Sequence, residues 1–185
     1  MRINRIETER LILRDLRESD AQDLFDVKND ELIQKYSSDF LAYLPTLDDI
    51  RNELSCAENG VFIFGGLNER YAVCLKETGE LIGAIEVYET YDFDEVQMSW
   101  HLSSKHTRKG YASEASAAIA DFMFAKLQLN CICATMDVDN IASCKAAEKS
   151  GFDLVGKFEY WRAKNGEVYY YKKQNKNAMC MLRGA

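Results

Sequence analysis

Val96-Gln97-Met98-Ser99-Trp100-His101-Leu102 is followed by Ser103-Ser104-Lys105-His106-Thr107-Arg108-Lys109-Gly110 and then by Tyr111-Ala112-Ser113, and the way these pieces join decides the fold. The first alternates apolar and polar residues with period two, so Val96, Met98, Trp100 and Leu102 share one face of a half-buried strand. From Tyr111 to about Gln128, Ala115, Ile119, Phe122 and Met123 recur at helical spacing and would face a sheet. Between strand and helix lies a polar, basic loop. A helix that starts there presents unpaired amides and a partial positive charge. Gly110 lets the backbone approach a phosphate closely, Arg108 and Lys109 add cationic donors, and Ser113 adds a hydroxyl. The ligand this chemistry implies is a diphosphate. Taken alone, one glycine in a basic turn serves equally well as a plain strand-to-helix connection.

Other phosphate motifs fit less well. A P-loop needs Gly-x-x-x-x-Gly-Lys followed by Ser or Thr, which does not occur, and Gly110 stands alone where a dinucleotide fingerprint needs three spaced glycines after the first strand.

On the N-terminal side, Tyr71 to Lys76 and Leu81 to Tyr88 read as strands joined by Glu77-Thr78-Gly79-Glu80, and Thr8-Glu9-Arg10-Leu11-Ile12-Leu13-Arg14 as another. Ser19 with Gln22 makes a capping box before a helix through Ala21, Leu24, Phe25 and Val27. A second helix begins near Thr46, with Asp48 and Asp49 in its first turn, and ends before Gly60. On the C-terminal side come a strand from Cys131 to Asp137, a short helix from Ile141 to about Ser150 capped by Asn140, and Gly151 as its terminator. Phe152 to Ala163 and Val168 to Lys173 flank Lys164-Asn165-Gly166-Glu167, where Asn-Gly signals a hairpin. The segment from Gln174, with Ala178-Met179-Cys180-Met181-Leu182, reads as another strand or as a packed terminus. The order predicts a mixed α/β fold with a central, mostly antiparallel sheet flanked by helices.

Composition bounds what such a fold does. The length of 185 residues, 47% hydrophobic and with one proline, predicts a single domain over residues 1–185 without a proline-rich linker. With 23 basic against 30 acidic side chains the net charge is −7, which argues against a nucleic-acid-binding surface. The charge is uneven. The last 41 residues hold 9 basic and 4 acidic side chains, leaving 14 against 26 in the first 144. Twelve acids fall between Asp15 and Glu58, against Arg17, Lys28, Lys35 and Arg51. They read either as solvated helix faces or as a surface that attracts a cationic acceptor.

Met1-Arg2-Ile3-Asn4-Arg5 leads into charged residues, so no signal peptide is visible, and no stretch approaches the roughly 18 apolar residues of a membrane span. Most of the six cysteines sit in apolar stretches, as reduced, buried thiols do, and a cytoplasmic location follows. Cys131-x-Cys133 lacks the further ligands of a zinc site, because His101 and His106 lie far back in the sequence; no metal is expected.

Ile82-Gly83, the Val96 to Leu102 strand, Arg108-Lys109-Gly110-Tyr111-Ala112-Ser113-Glu114-Ala115, and Asn140-Ile141-Ala142-Ser143 with Gly151-Phe152 occur in the order found in the GNAT superfamily of acyl-CoA-dependent N-acetyltransferases, which this chain resembles over roughly residues 7 to 172. Thr8 to Arg14 and the Gly-Tyr-Ala-Ser-Glu-Ala run are similar to the branch that includes ribosomal-protein N-terminal alanine acetyltransferases. The resemblance implies a sheet splayed at the cofactor site. There the diphosphate of acetyl-CoA rests on the amides of Arg108, Lys109, Gly110, Tyr111, Ala112 and Ser113. The pantetheine arm lies beside Trp100, His101 and Leu102, and Asn140 reaches the arm. The family's frequent thiolate-protonating tyrosine corresponds to Ala147, whereas Ser143 matches a serine that in this branch fills that role or bonds the thiol; it equally suits a capping position. Thr107 stands where many members carry Gln or Arg.

The implied reaction is direct attack of a primary amine on the thioester in a ternary complex. A backbone amide around Trp100 to Leu102 is the oxyanion donor, and Glu86, Glu95, His101 and Glu159 are candidate bases, of which Glu86 is taken with Ser143 as the catalytic pair. The acceptor is either a protein N-terminus or a small molecule, for which a polyamine or aminoglycoside is the polycationic choice; a non-catalytic acyl-CoA sensor is the other class of function. A homodimer is left open.

Overall fold

A computed structural model of the chain describes residues 5–36, 46–58, 67–90, 95–160, 163 and 166–176. Along them run β1 (Ile6–Glu7), β2 (Leu11–Asp15), α1 (Ala21–Lys28), α2 (Glu31–Tyr36), α3 (Leu47–Glu58), β3 (Asn68–Leu75), β4 (Leu81–Thr90), β5 (Glu95–Leu102), α4 (Tyr111–Leu127), β6 (Cys131–Asp137), α5 (Ile141–Lys149), β7 (Asp153–Glu159) and β8 (Glu167–Gln174). The strands form one sheet in the order β1-β2-β3-β4-β5-β6-β8-β7. Neighbours are antiparallel except β5 and β6. This is the mixed α/β architecture, mostly antiparallel and flanked by helices, that the element order predicts.

Strand alternation gives the sheet two apolar faces, each with its own cover. On one, Leu11, Leu13, Tyr71, Val73, Ile85, Val87 and Met98 pack under α4 through Ala115, Ile119 and Met123, all out of contact with water. Burying each of the larger side chains contributes about 1.5–3 kcal/mol. On the other face, Ala84 lies under Ala21, Leu24, Ile50 and Leu54 of α1 and α3, while Ala72, Cys74 and Leu81 take Val27. A residue one step along β4 therefore changes not only face but neighbourhood.

Four local expectations are corrected. The first strand is split into β1 and β2, because the Thr8 hydroxyl folds the chain by accepting from the Leu11 amide at 3.0 Å. The Ser19–Gln22 capping box does not form. Instead Asp20, 5% exposed, accepts from the Arg17 amide and from both Arg14 terminal nitrogens at 2.7–2.8 Å, while Gln22 bonds Asp26. Charge-assisted, bidentate bonds outcompete a neutral exchange. The unexpected α2 is started by Asp30, whose carboxylate takes the Leu32 amide at 3.0 Å. The last hairpin loop is longer than Asn-Gly implies: β7 stops at Glu159, opposite Glu167, and the Tyr160 amide donates to the Gly166 carbonyl at 2.8 Å. Lys164, Asn165 and the 177–185 segment lie outside the described residues, as does Gly60.

Candidate active site

Two helices begin at the carboxyl ends of the sheet's parallel strand pair, α4 after β5 and α5 after β6. This is the position at which open α/β sheets hold ligands. The pair itself is barely a pair: in register the two strands meet only at Gln97 opposite Cys133, fastened by the Gln97 side-chain amide donating to Thr135 Oγ1 at 2.6 Å. Beyond it, β5 follows β4 alone, with Trp100, His101 and Leu102 opposite Ile85, Ala84 and Gly83. Gly83 makes this approach feasible, since a Cβ there would lie 2.2 Å from the His101 carbonyl oxygen. Phe152, buried after α5, packs edge-on against Trp100 with ring centroids 6.2 Å apart.

The open edge is narrower than three residues. The Ser103 amide donates to the Ile82 carbonyl at 2.9 Å, so by alternation His101 also spends its backbone groups on β4, whereas Trp100 and Leu102 aim theirs toward the splay. His101 enters the site through its side chain instead, on the face under α1 and α3.

The loop that follows is built to expose amides. Its Ser104–His106 turn is tied to α2 by Asp30, which accepts from the Ser104 amide at 2.8 Å and from the Ser103 hydroxyl at 3.3 Å. Arg108 and Gly110 both adopt left-handed backbone, with φ of 62° and 82°. For Arg108 that conformation costs on the order of 1–2 kcal/mol, a strain that clusters at functional sites. Gly110 is the residue before the first turn of α4, no side chain caps that helix, and its first internal bond runs from the Glu114 amide to the Gly110 carbonyl. The amides of Tyr111, Ala112 and Ser113 thus face outward, flanked by the exposed side chains of Arg108 and Lys109.

At the second helix start, Asn140 Oδ1 accepts from the Ser143 amide at 3.2 Å, as expected of a cap. Ser143 itself is half-buried, and Ala147 is fully buried in the core, where it offers no acid.

Glu86 departs from the picture of an ordinary outward side chain. Alternation does turn it away from α4, but into the layer under α1 and α3, where it meets Arg70 Nε at 3.6 Å and Lys28 Nζ at 3.9 Å. Arg70 also pairs with Glu53 of α3. Burial pushes the Glu86 carboxyl up, yet Arg70, His101 and Lys28 together outweigh it and hold it at about 2. Burial lowers the pKa of His101; Glu86 opposes it, and Lys28 and then Arg70 add to the lowering. The other two base candidates stand apart: Glu95 is engaged by Lys172 and Tyr170, and Glu159 ends β7 next to the outer edge of the sheet.

Many acids between Asp15 and Glu58 have partners within the protein: Asp20 on Arg14, Asp26 on Gln22, Asp30 on the Ser103–Ser104 turn, Asp49 on Thr46, Asp48 on Arg51 and Glu53 on Arg70. Cys133 is buried, which pushes its thiol up to about 12, and no cluster of His, Cys, Asp or Glu among the described residues suits a metal. Among the described residues no helix is long and apolar enough to cross a membrane.

The glycine loop and the Asn140 cap are legible in local pattern, while Ser143 is singled out only by the family resemblance. Sequence reasoning missed Arg70, Lys28 and Asp30, because what they do depends on partners 16 to 74 residues away. An acid in an apolar strand such as Ile85-Glu86-Val87 is the one available signal that a buried cation awaits it.

Known proteins supply a consistent background. Residues 10–153 match the family model described as an Acetyltransferase (GNAT) domain. A Bacillus subtilis (strain 168) protein named uncharacterized N-acetyltransferase YnaD is 28% identical over 169 residues, spanning 90% of this chain and 94% of its own. The ribosomal-protein-S5-alanine acetyltransferase of Vibrio fischeri superposes with a TM-score of 0.75 at 18% identity, over 94% of this chain and 97% of that one. The aminoglycoside acetyltransferase AAC(6')-Ib, solved with paromomycin and acetyl-CoA, gives 0.70 at 19% identity over 94% and 98%. At these identities the two structures speak for the fold.

Proposed function

Because the chain belongs to the GNAT acetyltransferase family, we propose that it is an acetyl-CoA-dependent N-acetyltransferase that acetylates a primary amine, foremost the N-terminal amine of a protein, by direct transfer in a ternary complex. The observation that carries this is the coincidence, at the end of one parallel strand pair, of an open strand edge and an uncapped, cation-flanked helix start. Acetyl-CoA matches both: an amide-rich arm for the edge and a diphosphate for the helix. As co-substrate it supplies the activated acetyl thioester.

In this reading the amides of Tyr111, Ala112 and Ser113, with Gly110, Lys109 and Arg108, receive the diphosphate. Trp100 and Leu102 bond the arm through backbone groups, and one of their amides stabilises the oxyanion. Asn140 holds the start of α5, and Ser143 gives its hydroxyl proton to the departing thiolate. The amine arrives from the α1 and α3 side. The sequence-based choice of Glu86 as base is refined by its surroundings. A carboxylate held at about 2 is a poor proton acceptor, so Glu86 balances Arg70 and Lys28 while neutral His101 accepts the ammonium proton, directly or through water.

Three of the acids, Asp20, Asp48 and Glu53, are paired with Arg14, Arg51 and Arg70, which reduces the charge left for a polycation and supports a singly charged amine. Thiol release from acetyl-CoA with an N-terminal peptide, an aminoglycoside and a polyamine tests the reading. Release with the peptide alone is expected; release only with the polycations transfers the assignment to them, and none at all with tight coenzyme A binding indicates the sensor.

A further inference from the structure

Glu114 poses a problem for any anion site at the start of α4. It is acidic and sits in the helix's first turn, where its charge would repel a diphosphate and compete for the amides. The structure shows where that charge goes. Oε1 accepts from the Thr8 hydroxyl at 2.5 Å and from the Arg10 amide at 2.9 Å, while Oε2 accepts from Arg10 Nε at 2.7 Å with Nη2 at 2.6 Å. Both oxygens are consumed by the turn between β1 and β2. Thr8, Arg10 and Lys76 carry the donors that face this turn, yet Lys76 pairs with Glu7 and leaves Glu114 to the other two.

Arg10 does more than neutralise. Its Nη1 donates to the Lys109 carbonyl at 2.8 Å, its guanidinium carbon stands 4.7 Å from the centre of the Tyr111 ring, and a Cβ on Gly110 would come within 3.4 Å of Nη2. It therefore touches residues 109, 110, 111 and 114. A trans peptide holds its N–H opposite its C=O, so the bond that draws the Lys109 carbonyl toward Arg10 turns the Gly110 amide away from it.

We propose that Arg10 and Glu114 are positioning residues for the donor: a charge-compensated clamp from the β1–β2 turn that sets the direction of the Gly110 amide and removes the Glu114 charge from the diphosphate site. The proposal rests on the loop's assignment as the diphosphate site. It accounts for the pairing of two sequence motifs that lie about a hundred residues apart, Thr8-Glu9-Arg10 and Gly110-Tyr111-Ala112-Ser113-Glu114. Fork geometry matters here, because the guanidinium reaches the carboxylate through Nε and Nη2 and the carbonyl through Nη1, a planar spread of donors that the single nitrogen of an ammonium does not reproduce.

The test compares coenzyme A with pantetheine, which keeps the arm and lacks the diphosphate, by calorimetry and by competition in the full-length chain. Wild type is expected to bind coenzyme A at least a hundredfold more tightly. Arg10→Ala and Glu114→Gln should each lose about tenfold for coenzyme A and leave pantetheine unchanged, and Arg10→Lys should not rescue. The nearly isosteric Glu114→Gln and the mild Arg10→Lys keep the comparison available if Arg10→Ala folds poorly. Variants that retain the full wild-type preference, or that weaken both ligands alike, overturn the clamp. A wild type that binds both ligands equally overturns the diphosphate assignment itself, and the clamp with it.

Discussion

The two sides of β5 are built from different materials. Toward α4 and α5, the site consists of backbone: the edge of Trp100 and Leu102, the left-handed Arg108 and Gly110, and the outward amides of Tyr111 to Ser113. Toward α1 and α3, it consists of side chains, with Glu86 among Arg70, Lys28 and His101 in a half-buried layer. The difference teaches that these halves should respond to different changes. A backbone site is broken by altering geometry, and a side-chain site by altering charge.

The sharpest break is geometric. Gly83→Ala sets a Cβ 2.2 Å from the His101 carbonyl oxygen, so β4 and β5 must separate. We expect a loss of about 3 kcal/mol in urea unfolding together with coenzyme A affinity, since overpacking at a backbone contact has no flexible neighbour to yield. Wild-type stability in this variant would show that the splay does not depend on that approach.

Arg108→Glu with Lys109→Glu addresses the charge that the backbone half does use. Coenzyme A binding should fall by about a hundredfold at low salt and recover much of the loss at about 1 M, where exposed charges are screened, with the unfolding midpoint unchanged. Salt-independent loss would point to a distorted loop.

On the side-chain half, Glu86→Gln should cost roughly 2–3 kcal/mol, because Lys28 loses its half-buried carboxylate and Arg70 keeps only Glu53. The sign follows from linkage. The folded carboxyl sits at about 2, below its ordinary 4.5, so its stabilisation is complete above 4.5 and is lost as pH falls toward 2. Wild type and variant should therefore converge in stability across that window.

His101 sharpens the same half. Its lowered pKa means that the imidazole is already neutral at pH 7, so kcat/KM should be flat there and fall only below pH 6.5 as the base is protonated. His101→Gln should remove that limb. A limb that survives belongs to another group.

The smallest effect is expected at Ser143→Ala, about tenfold in kcat with coenzyme A affinity within twofold, measured by steady-state rates and calorimetry. If turnover and affinity are both unaltered, Ser143 only presents its amide to the Asn140 cap.

Much of this is legible in the amino-acid sequence. The β5 alternation, the α4 periodicity, the bounds of β6 and the Asn140 cap depend on neighbours within one or two turns, and they stand as local pattern predicts. The mistakes cluster where a charge found a better partner. Ser19 and Gln22 lost their exchange because Arg14 reached Asp20, and the cations around Glu86 come from α1 and β3, which alternation along β4 does not reveal. His101 was read as edge backbone because the phase of its hydrogen bonds depends on Ile82 and Ser103.

By itself, then, the sequence determined most of the elements, the strand-loop-helix junction, and the family to which the chain belongs. Short-range periodicity and the conformational needs of Gly110 are enough for these. Only the tertiary structure decided that β5 parts from β6 after Gln97, that Glu86 is a held anion, and that Arg10 closes on Glu114. Those depend on which charges and backbone groups meet across the fold, a matter of packing between distant segments that no local spacing encodes.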